Sequence, residues 1–395
     1  MRKVDPKVDE AIETLNMKDG PSRRKLLTGT GLVSATAAAS ALLAACSSSS
    51  SASTGGGGST AKDVAGDFPK TPKWQFWFDN HVYTNPFFVP TQYGFQDAAA
   101  LLDIPVPKWG GSASTSSVPQ MVSFLNSAIA ANASGIAIPV ISASGFTAPV
   151  KRAMDAGIPV LSYNADGTVG SNGVPDIGTN RLAYIGQALY QSGQQLGARI
   201  LSLIPGGGHV VIFIATLGTG NIQPRLDGAT AALKASGKSF QVAAQATGAA
   251  TNVELGAEKA YLLAHKSTLK GAFAVDAGST GFLGQALTST GLKIPAGGFD
   301  LTTPTLNAIK AGQIDFTIDQ SPYYQGFLPV IQLFMYQLSG GLVAPADTDT
   351  GLTFVTKSTV GPYLATPTRF EGSTTAQKLV TRSGPIQNPI GTTST

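Results

Sequence analysis

The feature that most constrains the fold of this chain is a regular alternation of short apolar runs with helical patterns over residues 73–345. Several of the runs, such as "SGIAIPVI" (134–141) and "GHVVIFIAT" (208–216), are continuous rather than alternating in polarity. Continuous apolar runs are typical of parallel strands buried on both faces, whereas half-exposed strands alternate. Strand–helix alternation of this kind predicts a doubly wound α/β fold with parallel sheets.

The predicted elements fall into two groups of similar size, separated by a seam near residues 175–181. Strands are predicted at residues 74–78, 134–141, 158–164, 208–216, 240–246, 271–276, 294–300 and 315–320, and helices at 118–132, 182–204 and 253–265. Two α/β lobes fit this pattern better than one long sheet. We predict an N-terminal lobe of residues 73–178 plus 321–345, a C-terminal lobe of 179–320 plus 346–362, and an extension, ordered or disordered, over 363–395.

The beginning of the chain has the pattern of an export signal. Residues 22–27 read "SRRKLL" and precede an uncharged, weakly apolar stretch that ends at Cys46. A basic segment followed by an apolar segment and small residues predicts a signal peptide over residues 1–45. The pair Arg23 and Arg24 resembles the twin-arginine signal, although the general export route stays open. An uncleaved anchor is the alternative, but a spanning helix needs about 20 strongly apolar residues.

Cys46 is the only cysteine of the chain, and it follows the sequence "LAA". This arrangement resembles the bacterial lipobox, in which the cysteine thiol is acylated and becomes the new N-terminus. The Ser/Gly tract that follows cannot bury enough surface to fold, so residues 46–72 are predicted to be a flexible tether. We therefore predict an exported protein that is lipid-anchored to the outer face of the cell membrane.

Composition excludes several classes of function. The net charge is only +4, which gives no basic face for nucleic acid. One cysteine and three scattered histidines give no metal-ligating pattern, and no cofactor is expected. The glycine-rich segments "IPGGGHV" and "TLGTGN" lack the Gly-Lys-Ser/Thr that a phosphate loop requires.

Polar and aromatic residues follow the ends of the predicted strands. In parallel sheets, ligands bind outside the carboxyl ends of the strands. Amides, carboxylates and a guanidinium form planar or bidentate hydrogen bonds with hydroxyls, and aromatic rings stack on C–H surfaces. This set suits a polyhydroxylated small molecule, and the candidate ligand-binding residues are Asn85, Phe87, Phe88, Asn164, Asp166, Arg225, Asp276, Asp300 and Gln320.

Some of these residues also have a purely structural explanation. Asn85 precedes Pro86, a pair that often starts a turn or a helix. One of the two phenylalanines is expected to belong to the core, and Asp166 in "ADG" can shape a turn. Asp276 and Asp300 instead favour contact with a ligand, because a carboxylate that ends an apolar strand needs a polar partner.

Six motifs in register resemble one known family. They are "TNPFF", "GIPVLSYNAD", "RLDGATAAL", "AFAVDAGSTGFLGQAL", "GFD" and "IDQSPYYQGF". Together they are similar to the sugar-binding lipoproteins and periplasmic proteins of ABC importers, the group that contains the ribose- and galactose-binding proteins. The resemblance covers roughly residues 73–345 and implies two α/β lobes, joined by three crossovers, with a sugar enclosed between them.

The resemblance also implies roles for single residues. In the first lobe, Asn85 would bind a sugar hydroxyl while Phe87 and Phe88 flank the ring. In the second lobe, Arg225 would donate, Asp276 and Asp300 would accept, and Gln320 would contact the ligand at the hinge.

The chain departs from the ribose type in two places. Asn164 is followed by Ala165 and Asp166 where ribose-like members carry Asp-Arg, and residues 248–256 contain no aromatic side chain. Ribose itself is therefore not implied as the ligand.

We predict a monomeric extracytoplasmic solute-binding lipoprotein that captures a small sugar or polyol between its lobes and delivers it to an ABC transporter permease. A sensing module for a membrane receptor would use the same fold and stays open as an alternative. An exported carbohydrate-active enzyme is a weaker alternative, because the chain has no "GxSxG" elbow and only His81 lies near a strand end.

Overall fold

The computed structural model describes residues 70–169, 175–176, 178–248 and 251–365. The predicted signal peptide with Arg23 and Arg24, Cys46 and nearly all of the tether lie outside these residues, as does most of the C-terminal extension. None of the helices in the described ranges is long and apolar enough to cross a membrane.

The described elements alternate between strands and helices along the chain. The strands are β1 (Phe76–Asn80), β2 (Lys108–Gly111), β3 (Gly135–Val140), β4 (Val160–Asp166), β5 (Thr168–Val169), β6 (Pro175–Asp176), β7 (Tyr184–Gly186), β8 (Gly208–Ile214), β9 (Phe240–Ala246), β10 (Leu269–Ala274), β11 (Ala296–Phe299), β12 (Phe316–Asp319), β13 (Thr348–Asp349) and β14 (Thr353–Thr356). The α-helices are α1 (Val89–Leu101), α2 (Val118–Ala130), α3 (Ala143–Asp155), α4 (Leu189–Leu203), α5 (Gln223–Ala235), α6 (Thr251–Ala264), α7 (Ala277–Thr290), α8 (Thr303–Ala311), α9 (Tyr324–Leu338) and α10 (Gly361–Ala365).

Two separate sheets form the frame of the molecule. Lobe 1 is built on a sheet of order β13-β7-β4-β3-β1-β2, whose pairs are parallel. Lobe 2 is built on a sheet of order β14-β12-β11-β10-β8-β9, parallel except for the antiparallel pair β12–β14. The predicted α/β fold with two doubly wound lobes is therefore confirmed.

The continuous apolar runs explain why both faces of each sheet are covered. In β8, Val211 and Phe213 belong to one buried cluster, while Val210, Ile212 and Ile214 belong to the cluster on the other face. Side chains alternate across a strand, so a strand with helices on both faces must be apolar at every position. Full burial of each such side chain stabilises the fold by about 1.5–3 kcal/mol.

Three crossovers join the lobes, as the family resemblance implied. The chain passes between the sheets after β7, after β12 and after β13. The crossing segments bind one another: the Nε2 of Gln187 donates to the carbonyl of Gly351 at 3.2 Å, and the Oγ1 of Thr350 donates to the carbonyl of Gln320 at 2.8 Å. These bonds tie the three segments into one hinge.

Strand pairing places the crossovers differently from the predicted lobe limits. Residues 182–204 were predicted to form one helix, but Tyr184–Gly186 is a strand that pairs with β4 in lobe 1. β13 also joins lobe 1, although residues 346–362 were predicted to lie in the C-terminal lobe. Helix α10 continues past residue 362, where the extension was predicted to begin, and its Tyr363 and Leu364 pack on the core of lobe 2.

Candidate functional site

A cavity of about 560 Å³ lies where the carboxyl ends of the two sheets meet. It is lined by every predicted ligand-binding residue except one: Asn85, Phe87, Phe88, Asn164, Arg225, Asp276, Asp300 and Gln320. The exception is Asp166. Both lobes and the hinge contribute side chains, so a molecule in this cavity would touch all three parts.

Lobe 1 contributes an aromatic corner that is held by Asn85. The Oδ1 of Asn85 accepts from the backbone N–H of Phe87 at 2.9 Å and caps a 3₁₀ turn over Pro86–Phe88. The rings of Phe87 and Phe88 meet edge-on, with centroids 4.7 Å apart. Phe88 is 2% exposed and belongs to the core, while Phe87 is only partly buried. Asn85 thus shapes the turn with its side-chain oxygen.

Arg225 is the cation of the site and lies in the first turn of α5. Its side chain is almost fully buried, and its Cζ lies 4.3 Å from the centroid of the Phe299 ring. Nη1 donates to the carbonyl of Val275 at 3.1 Å and Nη2 to Oε1 of Gln187 at 3.0 Å, whereas Nε has no partner among the described residues. Burial lowers the pKa of Arg225, and the nearby carboxylate of Asp300 opposes that effect. The guanidinium is therefore held by bonds from both Nη atoms, while its Nε–H has no partner among the described residues.

Asp300 follows β11 in a left-handed backbone conformation, with φ of 77°. Outside glycine, asparagine and aspartate adopt this region most readily, so the residue type fits the turn. Its Oδ1 accepts from the Nε2 of Gln320 at 2.6 Å. Burial raises the pKa of Asp300 to about 6, against the lowering effect of Arg225 and of the bond from Gln320.

A chain of amide hydrogen bonds continues from Asp300 across the hinge. The Nε2 of Gln325 donates to Oε1 of Gln320 at 3.1 Å, and the Nδ2 of Asn164 donates to Oε1 of Gln325 at 3.1 Å. Asn164 belongs to β4 and also has a left-handed φ of 61°. The chain therefore connects a strand end of lobe 2 to a strand of lobe 1 through buried side chains.

Asp276 lines the cavity and also stabilises the local structure of lobe 2. It is the N-cap of α7: Oδ1 accepts from the backbone N–H of Ser279 at 2.9 Å. Oδ2 accepts from the N–H of Ala215 at 2.8 Å and from the hydroxyl of Ser279 at 3.0 Å. Burial raises the pKa of Asp276, and these donors lower it. Most of its acceptor capacity is occupied within the protein.

Asp166 is the one predicted residue that the structure places elsewhere. Its Oδ2 forms an ion pair with Nη2 of Arg181 at 2.5 Å, and the side chain of Arg181 is 10% exposed. The same guanidinium reaches Oδ1 of Asp347 at 2.9 Å. Asp166 thus anchors the segment that precedes β7 instead of facing the cavity, and this differs from the sequence prediction.

Other lining residues were not predicted from the sequence. His81 follows β1, and its Nε2 lies 3.2 Å from the Nδ2 of Asn221 in lobe 2. Nearby, the N–H of Gly220 donates to the carbonyl of Ile141 in lobe 1 at 3.2 Å. Burial lowers the pKa of His81 to about 4, so the imidazole is neutral at physiological pH. His81 could have been predicted to line the cavity, because it follows a strand end. The sequence around Asn221 gives no comparable indication.

Glu254 is a further lining residue, and it lies in the first turn of α6. Burial and the negative charge of Asp276 raise the pKa of Glu254 to about 7. One turn later, burial and both neighbouring acids raise the pKa of Glu258 to about 10. Among the described residues, no group of three or more His, Cys, Asp or Glu could hold a metal ion.

Comparison with known proteins decides the family. The sequence profile of the periplasmic binding protein domain matches residues 76–340. The chain belongs to the periplasmic binding protein family. One relative, the xylose/arabinose-binding protein XylF of Sulfolobus acidocaldarius, is 46% identical over 327 residues, which cover 80% of this chain and 79% of that protein.

Solved structures of proteins with bound sugar or polyol share the fold. A solute-binding protein of an ABC transporter from Burkholderia graminis C4D1M, in complex with D-arabinose, has a TM-score of 0.66 at 26% identity and covers 74% of this chain and 99% of its own. A carbohydrate transporter protein from Acidothermus cellulolyticus 11B, in complex with myo-inositol, has a TM-score of 0.63 at 24% identity, with coverage of 74% and 97%. The family resemblance inferred from the six motifs is confirmed.

Proposed function

We propose that this protein binds a small sugar or polyol in the cavity between its lobes and delivers it to the permease of an ABC importer. The observation that carries the proposal is the composition of the cavity wall. It combines a half-buried aromatic ring, Phe87, with the buried hydrogen-bonding groups of Arg225 and Asp300. Rings that pack on C–H groups and planar polar groups that pair with hydroxyls are what a sugar requires.

The mechanism follows from the position of these groups on separate lobes. A ligand that contacts both lobes stabilises the arrangement in which they approach each other. The bonds from Gly220 to Ile141 and between Asn221 and His81 exist only when the lobes are close, so they add to this stabilisation. The proposal includes no catalytic step.

The relatives support a pentose-sized ligand. The name of the Sulfolobus protein gives xylose and arabinose as its ligands, and the Burkholderia structure contains D-arabinose. A thermal-unfolding screen of the full chain with D-xylose, L-arabinose, D-arabinose, D-glucose, D-galactose and myo-inositol tests the proposal. A ligand at 100 times its Kd stabilises the native state by about 2.7 kcal/mol and raises the unfolding midpoint. If none of these compounds shifts the midpoint, the proposed function is wrong.

Delivery to a permease and signalling to a receptor are separated by an uptake experiment. Cells that carry or lack this gene are given the radiolabelled sugar that binds best. We expect uptake to fall when the gene is deleted and to return with the intact gene. Unchanged uptake together with altered transcription in response to the sugar would instead indicate a sensing module.

We further propose that the protein is exported through the signal at Arg23 and Arg24 and anchored by lipid on Cys46. The proposal rests on the sequence alone, because these residues lie outside the described ranges. In the native host, a Cys46→Ser chain should lose incorporation of labelled fatty acid and move from the membrane to the soluble fraction. A Cys46→Ser chain that stays fully in the membrane fraction would contradict the anchor.

A further inference from the structure

One carboxylate on the cavity wall has no hydrogen-bond partner in the described part of the chain. Glu254 is 5% exposed, and no described group donates to its oxygens. Its side chain lines the cavity, where a bound molecule can reach the carboxylate oxygens. Such a group is retained at a binding site when a ligand completes its hydrogen bonds.

The surroundings of Glu254 hold its carboxylate against the start of α7. A Cβ atom at position 278 would overlap Oε1 of Glu254, so Gly278 leaves the space that the carboxylate occupies. Both Gly278 and Glu254 line the cavity. The carboxylate also lies in the first turn of α6, where the helix dipole favours negative charge.

The carboxylate of neighbouring Asp276 differs from that of Glu254 in its hydrogen-bond partners. Three donors from Ala215 and Ser279 already occupy the oxygens of Asp276, so its carboxylate has a structural role. Glu254 has no such donors. On this side of the cavity, Glu254 therefore supplies the unoccupied acceptors, while Asp276 holds the strand end and the helix cap together.

Glu258 determines how the charge of this region is distributed. It lies one helical turn from Glu254, is fully buried, and has no partner for either carboxylate oxygen among the described residues. Its pKa, raised to about 10 chiefly by burial, keeps it protonated at neutral pH. Glu254 is therefore the member of the pair that ionises near neutral pH and can accept strong, charge-assisted hydrogen bonds.

We propose that Glu254 is a specificity-determining residue, whose carboxylate accepts a hydrogen bond from one hydroxyl of the bound sugar and selects for the position and configuration of that hydroxyl. The inference rests on the proposed function and adds a contact from α6. A site that is built to bind a hydroxyl discriminates strongly against analogues that lack it, because the buried partner is left unpaired.

The test measures the affinity of the full chain for D-xylose and L-arabinose, which differ only in configuration at one carbon. Glu254→Gln and Glu254→Ala are compared with wild type by titration calorimetry at pH 8. Asp155→Asn is the matched control, since Asp155 is an exposed acid of α3 that pairs only with Lys151. We expect Kd for the better sugar to rise roughly 10- to 100-fold for Glu254→Ala and less for Glu254→Gln. The ratio of the two Kd values should move toward one, and the control should match wild type.

Monodeoxy analogues of the better sugar identify the hydroxyl. The analogue that lacks the partner hydroxyl should bind wild type and Glu254→Ala equally, while the other analogues should lose affinity by the same factor as the parent sugar. Such a cycle isolates the pairwise term from general weakening. Uniform loss for every analogue would mean that Glu254 acts only on the shape of the lobe and would overturn the proposal.

The outcomes separate this proposal from the proposed function. If wild type binds none of the sugars, the proposed function itself is wrong. If wild type binds while both Glu254 variants keep its Kd, its sugar preference and its unfolding midpoint, only the role of Glu254 is wrong. Binding of D-glucosamine or D-galactosamine, but of no neutral sugar, would show that the carboxylate pairs with an amine and would overturn the hydroxyl assignment.

Discussion

The two walls of the cavity differ in kind. Lobe 1 presents neutral groups, namely the ring of Phe87, the amide of Asn85 and the unprotonated imidazole of His81. Lobe 2 presents the guanidinium of Arg225 and the carboxyl groups of Glu254, Asp276 and Asp300. We infer that lobe 1 provides shape and apolar contact, while lobe 2 provides charged hydrogen bonds, which are stronger and more selective.

The largest expected effect is that of Arg225→Ala in the charged wall. The change removes a ligand donor and deprives Asp300 of its nearby cation. It also leaves the carbonyl of Val275 and the amide oxygen of Gln187 without their donor. Each buried polar group left unpaired costs about 1–3 kcal/mol, so we expect a lower unfolding midpoint. Loss of the ligand donor should raise Kd roughly 100-fold. Calorimetry and thermal unfolding measure both. Arg152→Ala, which removes an exposed arginine of α3, is the control. An unchanged Kd would show that lobe 2 does not dominate binding.

Asp300→Asn should have the second largest effect. Asparagine tolerates the left-handed backbone of this position, so the variant tests the charge without adding strain. Loss of the ionised acceptor should weaken sugar binding by about 1–3 kcal/mol. The measurement is again calorimetry at pH 8, with Asp155→Asn as the control for a lost negative charge. Affinity equal to wild type would place the ligand away from β11.

Buried carboxyl groups with raised pKa values also make the stability of the fold depend on pH. In the folded state the pKa of Glu258 is about 10, well above the usual 4.3 of an unfolded glutamate. The folded state therefore holds this proton more tightly, so the contribution to stability is complete below about pH 4 and is lost as pH rises through about 10. Burial also raises the pKa of Asp79, Glu254 and Asp300, and these shifts act in the same direction.

We accordingly expect the ligand-free protein to unfold at a higher temperature at pH 5 than at pH 9. Glu258→Gln, which has the shape of the neutral acid at every pH, should narrow that difference by roughly 2 °C or more. Calorimetric scans at the two pH values test this, with Asp155→Asn as the exposed control. A difference as wide in Glu258→Gln as in wild type would remove Glu258 from this explanation.

The smallest expected effect belongs to the neutral wall. Phe87→Ala should weaken sugar binding about 3- to 10-fold, as expected for an aromatic contact, and should hardly alter the unfolding midpoint. Phe88→Ala should behave differently, because Phe88 is a core residue whose truncation costs about 3–5 kcal/mol of stability. Parallel titrations and unfolding scans compare the two. A stronger binding defect in Phe87→Ala than in Asp300→Asn would reverse the proposed ranking of the walls.

Many of the strands were predictable, because burial on both faces requires a continuous run of apolar residues in the local sequence. β9 occupies the predicted residues 240–246, and the apolar runs of β3 and β8 identified central strands. Asp300, which directly follows β11 and lines the cavity, was predicted by the rule that ligands lie beyond the carboxyl ends of parallel strands.

Other features of the fold and the site depend on tertiary contacts, which the local sequence does not show. Glu254 and Gln325 lie within helices, and only tertiary packing brings those helices beside the strand ends of the cavity. β7 was hidden because its short apolar run continues directly into the pattern of α4. Asp166 was misplaced because a carboxylate after a strand looks the same whether it faces a ligand or a distant arginine such as Arg181.

The direct contacts between the lobes affect how much ligand-free protein is in the closed form. The bonds from Gly220 to Ile141 and between Asn221 and His81 need no ligand. They therefore raise the fraction of empty protein in the closed form, and a larger binding-competent fraction increases apparent affinity. Empty closed protein, however, would compete with loaded protein for the same permease. Stronger contacts between the lobes would therefore raise the apparent affinity for sugar. They would also increase competition of ligand-free protein for the permease.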